Sequence, residues 1–306
     1  LGTLLSIVGP VFLLIGLGWF AAWRGLIDRA GFAGLNRFAF GFCAPALLFL
    51  GGTSGQAGAG PATLGFFVGA SVFYAVVLLV ARLRLPLGEA GVLALDATYG
   101  NAVMMGIPLI LAAFGEQALA LLLGIIALHS LVLLAVATII AEIALHQHAP
   151  WRRVLRSTLG GIARNPVVMA VLVGFIWHQA GLPPPTGIAR RTLELLGGAT
   201  APAALVCLGG SLLGFDARAA WTQAALTCAL KLLALPAVVW GVALLLGLGP
   251  LETAVAVVAA ALPTGANSFM LAQRYGIRPE LSGATVLVST VLSLVTLSLL
   301  IAHFRV

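Results

Sequence analysis

Residues 261–270 read ALPTGANSFM and stand inside an apolar stretch long enough to cross a bilayer. Pro263 and Gly265 interrupt a helix there, and Asn267 and Ser268 bring an amide and a hydroxyl to a depth where lipid offers no hydrogen-bond partner. An unpaired backbone group costs several kcal/mol in hydrocarbon, so a break of this kind persists only where it lines a cavity or is buried in protein. The stretch therefore reads as part of a binding site, with Pro263, Thr264, Gly265, Asn267 and Ser268 as candidate contacts.

The chain around it has 306 residues, 61% hydrophobic and 8% charged, with a mean hydropathy of +1.12. At about 20 apolar residues per crossing, ten spans are expected, over 3–23, 36–51, 61–82, 89–114, 117–142, 162–180, 190–213, 219–247, 251–273 and 281–303. The expected fold class is an all-α polytopic membrane protein with short loops. Arg24 follows the first apolar stretch and no small-residue cleavage site succeeds it, so this span reads as a retained helix. Cys43, Cys207 and Cys228 fall in apolar spans without pairing or metal-ligand spacing and read as small core residues. No metal or cofactor is expected.

The formal net charge is +7. In a chain this apolar it is read by the positive-inside rule and does not point to nucleic acid. With the N-terminus outside, the inward loops hold Arg24, Arg29, Arg37, Arg82, Arg84, Arg152, Arg153, Arg156, Arg164, Arg218, Arg274 and Arg278, against Arg190, Arg191 and Arg305 outside. Both termini are expected to be periplasmic, in a bacterial inner membrane.

The chain repeats itself. APALLFLGG at 44–52 recurs as APAALVCLGG at 201–210, Pro10 matches Pro166, and AAFG at 112–115 matches AQRYG at 272–276. The offsets are 156 for Pro10 and Pro166, 157 for Pro45 and Pro202, and 161 for Gly115 and Gly276. Each half, 1–142 and 162–306, holds five spans, so the second enters the membrane with opposite orientation, the inverted repeat of secondary transporters. The fourth and ninth spans are the matching broken ones. GNAVMMGIPLI at 100–110, with Gly100, Asn101, Gly106 and Pro108, is the counterpart of the opening stretch. Both are expected to unwind at mid-depth.

GNAVMMGIPL, RNPVV at 164–168 and AALPTGANSFMLAQRYGIRPELSGATVLVSTVLSL at 260–294 resemble the auxin efflux carrier family, which contains the plant PIN auxin carriers and bacterial malate and malonate permeases. The resemblance covers nearly the whole chain. It implies a homodimer of ten-helix subunits, with spans 1, 2, 6 and 7 as scaffold and spans 3, 4, 5, 8, 9 and 10 as a mobile transport domain that carries organic anions by an elevator movement. The long hydrophilic loop of the plant proteins has no counterpart here. Where they place a second Asn after the RNP proline this chain has Val167, and in the ninth span it has Ala266, Asn267 and Ser268 in place of apolar residues and a proline. These departures favour an anion smaller and more polar than auxin.

A half-helix that starts at mid-membrane presents free amides and roughly +0.5 elementary charge, enough to receive a carboxylate without a basic side chain. Asn101 and Asn267 are expected to complete that shell. Such neutral donors cost less than a free Arg during the unloaded return of a carrier. Asp96 and Lys231 are each ionisable within a span and read as a buried ion pair or, alternatively, as the site of a coupling proton or sodium ion. His129 reads as a buried neutral histidine bonded to a backbone carbonyl, or as a proton relay. In the linker 143–161, Trp151, Val154, Leu155, Thr158 and Leu159 share one helical face and Arg152, Arg153 and Arg156 another, the pattern of an interfacial helix.

No HExxH, no GxSxG and no paired intramembrane aspartates appear, so an enzyme is not expected. Gly210, Gly214, Gly65 and Gly69 read as points of close helix packing. The expected function is secondary transport of a small carboxylate such as malate, malonate or an auxin-like acid. The alternative is a passive anion channel or a substrate-sensing membrane protein on the same fold.

Overall fold

Prolines mark where helices begin. A computed structural model describes residues 2–53, 60–145, 160, 166–214 and 221–304, and in it Pro61, Pro166, Pro250 and Pro279 each occupy the first helical position. Proline is suited to that place because its missing N–H would have no intrahelical acceptor there. The helices are α1 (Gly2–Trp23), α2 (Arg29–Thr53), α3 (Pro61–Arg82), α4 (Leu87–Asp96), α5 (Ile107–His129, entered through a π turn, Ala102–Gly106), α6 (Ala135–Leu145), α7 (Pro166–Gln179), α8 (Gly187–Leu212), α9 (Trp221–Leu245), α10 (Pro250–Ala261), α11 (Ala266–Tyr275) and α12 (Pro279–Phe304). Further π turns are Ala39–Cys43 within α2, Ser130–Leu134 between α5 and α6, and Leu230–Ala234 within α9. Among the described residues there is no strand.

Among the described residues, six helical runs are long and apolar enough to cross a membrane: Arg29–Thr53, Pro61–Arg82, Ala102–Ile126, Gly187–Leu212, Trp221–Leu245 and Pro279–Phe304. Shorter apolar helices cover Gly9–Trp23, Val132–Leu145, Met169–Gln179 and Pro250–Ala261. The expected second span, 36–51, begins earlier, at Arg29, where Asp28 caps the helix by accepting from the Gly31 amide at 2.7 Å. The expected spans 89–114 and 251–273 are each divided, into α4 and α5 and into α10 and α11.

Gly115 lies within α5 with φ 82° and ψ −170°, outside the helical region, so Ala102–Ile126 is not one straight rod. Its sequence counterpart Gly276 ends α11 with φ 64°. Both positions need the left-handed half of backbone space, which glycine enters without steric cost.

Two helix pairs meet through glycines. On α1, a Cβ at Gly18 would stand 2.0 Å from the Val206 carbonyl oxygen of α8, and one at Gly209 would stand 1.8 Å from that of Ile15. On α7, a Cβ at Gly174 would stand 2.7 Å from the Phe49 carbonyl oxygen of α2, beside Gly52. Small residues permit this backbone approach. Gly69 and Gly210 also abut other helices, at Val239 and Phe32, and Gly65 abuts Leu248 in the turn before α10, whereas Gly214 has only Ser211 of its own helix end nearby among the described residues, so its expected packing role is not found.

The core lies around α10, whose residues Thr253–Ala261 are all buried. Such a helix, apolar on every side, needs protein on every side. Cys43, Cys207 and Cys228 are buried and free. The predicted amphipathic segment of the linker falls outside the described residues.

Candidate functional site

Past Asp96 the chain leaves α4 and runs through Ala97–Asn101 before α5, and past Ala261 it runs through Leu262–Gly265 before α11. The two breaks cross. Gly100 and Thr264 form an isolated antiparallel bridge, in which the Asn101 amide donates to the Pro263 carbonyl at 2.8 Å and the Gly265 amide to the Tyr99 carbonyl at 3.1 Å. The Thr264 amide donates to Ser289 Oγ at 3.0 Å and the Gly100 amide to His129 Nε2 at 3.3 Å. Backbone groups released by each interruption are thus paired again within protein, which is what makes the breaks tolerable in an apolar setting. A Cβ at Gly265 would stand 2.7 Å from the Tyr99 ring, so the close crossing depends on the glycine.

Against the crossing lies a cavity of about 350 Å³. It is lined by Tyr99–Met104, Ile126, His129, Gly265–Asn267 and Met270, together with Asn36 and Phe40 of α2 and Pro166 and Val167 of α7. Among the described residues, no Lys, Arg, Asp or Glu lines it.

Two helix N-termini border this space. The first amides of a helix have no carbonyl one turn back to receive them, and neither Asn101 nor Gly265 caps its helix with a side chain. The early amides of Val103, Met104, Ala266 and Asn267 therefore belong to cavity-lining residues at the positive ends of two helices. Asn101 is 6% exposed, and its Nδ2 has no hydrogen-bond partner. Asn267 is exposed, and its Nδ2 donates to Tyr99 Oη at 2.9 Å. Tyr99 lies against His129, ring centroids 4.3 Å apart at 34°. The site is a pocket of directional, uncharged donors. A family description, membrane transport protein, matches residues 4–301.

The chain belongs to the membrane transport protein family. It is a multi-pass helical member, and the family is the one its crossing motifs resemble. A Rhizobium meliloti (strain 1021) protein named "Putative malonate transporter" is 29% identical over 313 residues, covering 98% of this chain and 95% of that protein. A Methanothermobacter thermautotrophicus (strain Delta H) protein named "Uncharacterized transporter" is 34% identical over 134 residues, 44% of each chain.

In this member of the membrane transport protein family, the cavity gathers Gly100, Asn101, Gly265, Asn267 and His129 from the residues singled out in the sequence. Gly106, Pro108, Pro263, Thr264 and Ser268 lie outside its lining. Gly106 and Pro108 do not make the break: Gly106 ends the π turn, and Pro108 is buried in the first turn of α5. The wider turn accommodates a proline that has no N–H to donate backward. Tyr99, Asn36, Phe40 and Met270 were not foreseen, and only the adjacency of Tyr99 to Gly100 signalled any of them.

Asp96 and Lys231 are wholly buried, but they are not an ion pair. Asp96 Oδ1 accepts from the hydroxyls of Ser268 and, at 2.6 Å, Ser282, near the starts of α11 and α12, while Oδ2 is buried without a hydrogen-bond partner. Lys231 Nζ donates to the Ala260 carbonyl at 2.5 Å, at the C-terminal end of α10. Each charge faces the helix end of opposite sign, which reduces its need for the other. His129 accepts from the Gly100 backbone amide at Nε2. Its Nε2 is therefore the unprotonated nitrogen of a neutral ring.

Proposed function

We propose that the protein carries a small organic carboxylate across the bacterial inner membrane, binding it where the two interrupted spans cross. The observation that carries this reading is the unpartnered, buried Asn101 Nδ2 beside two uncapped helix N-termini in a cavity that no charged side chain lines among the described residues. Such termini receive carboxylates through backbone amides. Malonate is the first candidate, on the printed name of the Rhizobium relative. Val167 is among the residues that line the cavity.

The ten-span inverted repeat, with halves 1–142 and 162–306 around the linker 143–161, is part of the proposal. In its support, Gly18 meets the carbonyl of Val206 and Gly174 meets that of Phe49. Gly18 and Gly174 are 156 apart and Phe49 and Val206 are 157 apart, the offsets of the sequence repeat. In the carrier cycle α1, α2, α7 and α8 stay as scaffold, and the crossed helices move with the substrate as an elevator. Asp96, whose Oδ2 has no partner, is the residue assigned to a coupling proton or sodium ion.

The test is counterflow in proteoliposomes loaded with unlabelled malonate. A carrier accelerates entry of labelled malonate, because each outward step returns a site. Flux that follows the membrane potential with no such acceleration supports the channel, and binding without flux supports the sensor.

A further inference from the structure

Lys231 is wholly buried, yet among the described residues it has no carboxylate partner: the ion pairs there join Arg190 and Arg191 to Glu194 and Arg278 to Glu89. A charge in an apolar interior is costly unless it is matched. The Ala260 carbonyl at the end of α10 supplies a dipole, and Asp96 is engaged elsewhere, by Ser268 and Ser282. Where the ammonium stands is therefore informative. A Cβ built on Gly100 would lie 3.5 Å from Lys231 Nζ, so Nζ is within about 5 Å of the Gly100 Cα. Gly100 lines the cavity and Lys231 does not. Lys231 also acts electrostatically on His129, a second lining residue, which accepts from the Gly100 amide.

We propose that Lys231 is the counter-charge of the transported anion, acting through space from beside Gly100 without touching the ligand, and that its field selects anions over neutral molecules of the same shape. The inference rests on the carboxylate-carrier reading above. A carboxylate in contact with Gly100 lies within roughly 9 Å of the ammonium, and at an effective dielectric constant of about 20 two unit charges at that separation change an equilibrium about twentyfold. Salt screens a buried pair of this kind much less than a surface pair. In the empty site the lysine charge is met only by the end of α10, and an arriving anion completes its compensation. An ammonium set back from the lining attracts the anion but leaves no direct ion pair to break on release, whereas a lysine in the lining would hold it by a charge-assisted hydrogen bond.

The experiment is calorimetry on the full chain in detergent, with malonate and with malonamate, a monoanion of nearly the same shape, as probes of ligand charge. The proteins are the parent, Lys231→Gln, Lys231→Met and Asn101→Ala. Lys231→Gln removes the charge and keeps a donor for the Ala260 carbonyl; Lys231→Met removes both. Each is expected to weaken malonate about tenfold or more and malonamate about threefold, because the attraction grows with the charge of the ligand. The melting temperature is expected to fall further in Lys231→Met, so Lys231→Gln carries the test where the harsher variant does not fold. Asn101→Ala is expected to weaken both ligands about tenfold or more. If Lys231→Gln binds malonate as the parent does, or weakens the two ligands alike, the lysine does not act by its charge and the proposal is overturned; Asn101→Ala, still weakening both, then leaves the crossing site standing. If Asn101→Ala changes neither ligand, the crossing site itself is wrong.

Discussion

Lys231 donates to the carbonyl of Ala260 at 2.5 Å and leaves Asp96 to the hydroxyls of Ser268 and Ser282. Two opposite charges buried in one helical body are thus held by different helix ends. Asp96→Asn and Lys231→Met are therefore expected to destabilise independently, and their effects in the double variant to add within about 0.5 kcal/mol. Lys231→Met keeps the side-chain length and loses a hydrogen bond from a charged donor, a cost of about 1.5 to 3 kcal/mol. Thermal unfolding of the four proteins checks this. A double variant markedly more stable than the sum implies would restore the ion pair.

Asn101 and Asn267 are expected to differ, although the sequence presents them as equivalents. Nδ2 of Asn101 has no partner, whereas that of Asn267 is engaged by Tyr99. Asn101→Ala is expected to lower carboxylate affinity by about 1.5 to 3 kcal/mol with no loss of stability. Asn267→Ala is expected to act less, through release of Tyr99. Binding curves together with melting temperatures separate the two.

Tight glycine contacts set a third expectation. Gly18→Ala places a methyl 2.0 Å from the Val206 carbonyl oxygen, whereas Gly16→Ala, two residues away, meets nothing within 4 Å. Gly18→Ala is expected to cost about 1 to 3 kcal/mol or more by overpacking, and Gly16→Ala to be neutral or slightly stabilising, since alanine favours helix. Equal melting temperatures for the two variants would remove the α1 and α8 contact as a stabilising feature.

Membrane orientation is checked by single cysteines in a background without Cys43, Cys207 and Cys228. A cysteine at Leu26, between α1 and α2, is expected to resist an impermeant thiol reagent in intact cells, and one at Pro184, between α7 and α8, to react. Both native residues are exposed, so accessibility and not burial decides the outcome. The reverse pattern would invert the positive-inside assignment.

The sequence disclosed the paired breaks because Pro and Gly carry their backbone consequences with them at any depth. It located the second break well: Pro263 and Gly265 lie in the extended segment itself. It placed the first too far along, since Gly106 and Pro108 were weighed alongside Gly100, and proline near a helix start is compatible with continuation through a wider turn. Asn36 was invisible because a polar residue beside Arg37 at the edge of a span has the ordinary composition of a headgroup boundary. The Asp96 and Lys231 arrangement was misread for another reason. Formal charges are countable from sequence, but the partial charges at helix ends depend on where helices stop.

The π turns Ala39–Cys43, Ala102–Gly106, Ser130–Leu134 and Leu230–Ala234 contain or adjoin Phe40, Val103, Met104, His129 and Lys231. A π turn is one residue more than an α turn needs, taken up without rotating the helix on either side out of register. Part of the cavity lining is thus found where the chain carries extra length. A one-residue deletion inside Leu230–Ala234 is accordingly a shortening that α9 can absorb as regular helix, keeping both of its halves seated while withdrawing the lysine. The bundle and its pocket are to that extent separately editable, and length, more than side-chain identity, is the coordinate along which they come apart.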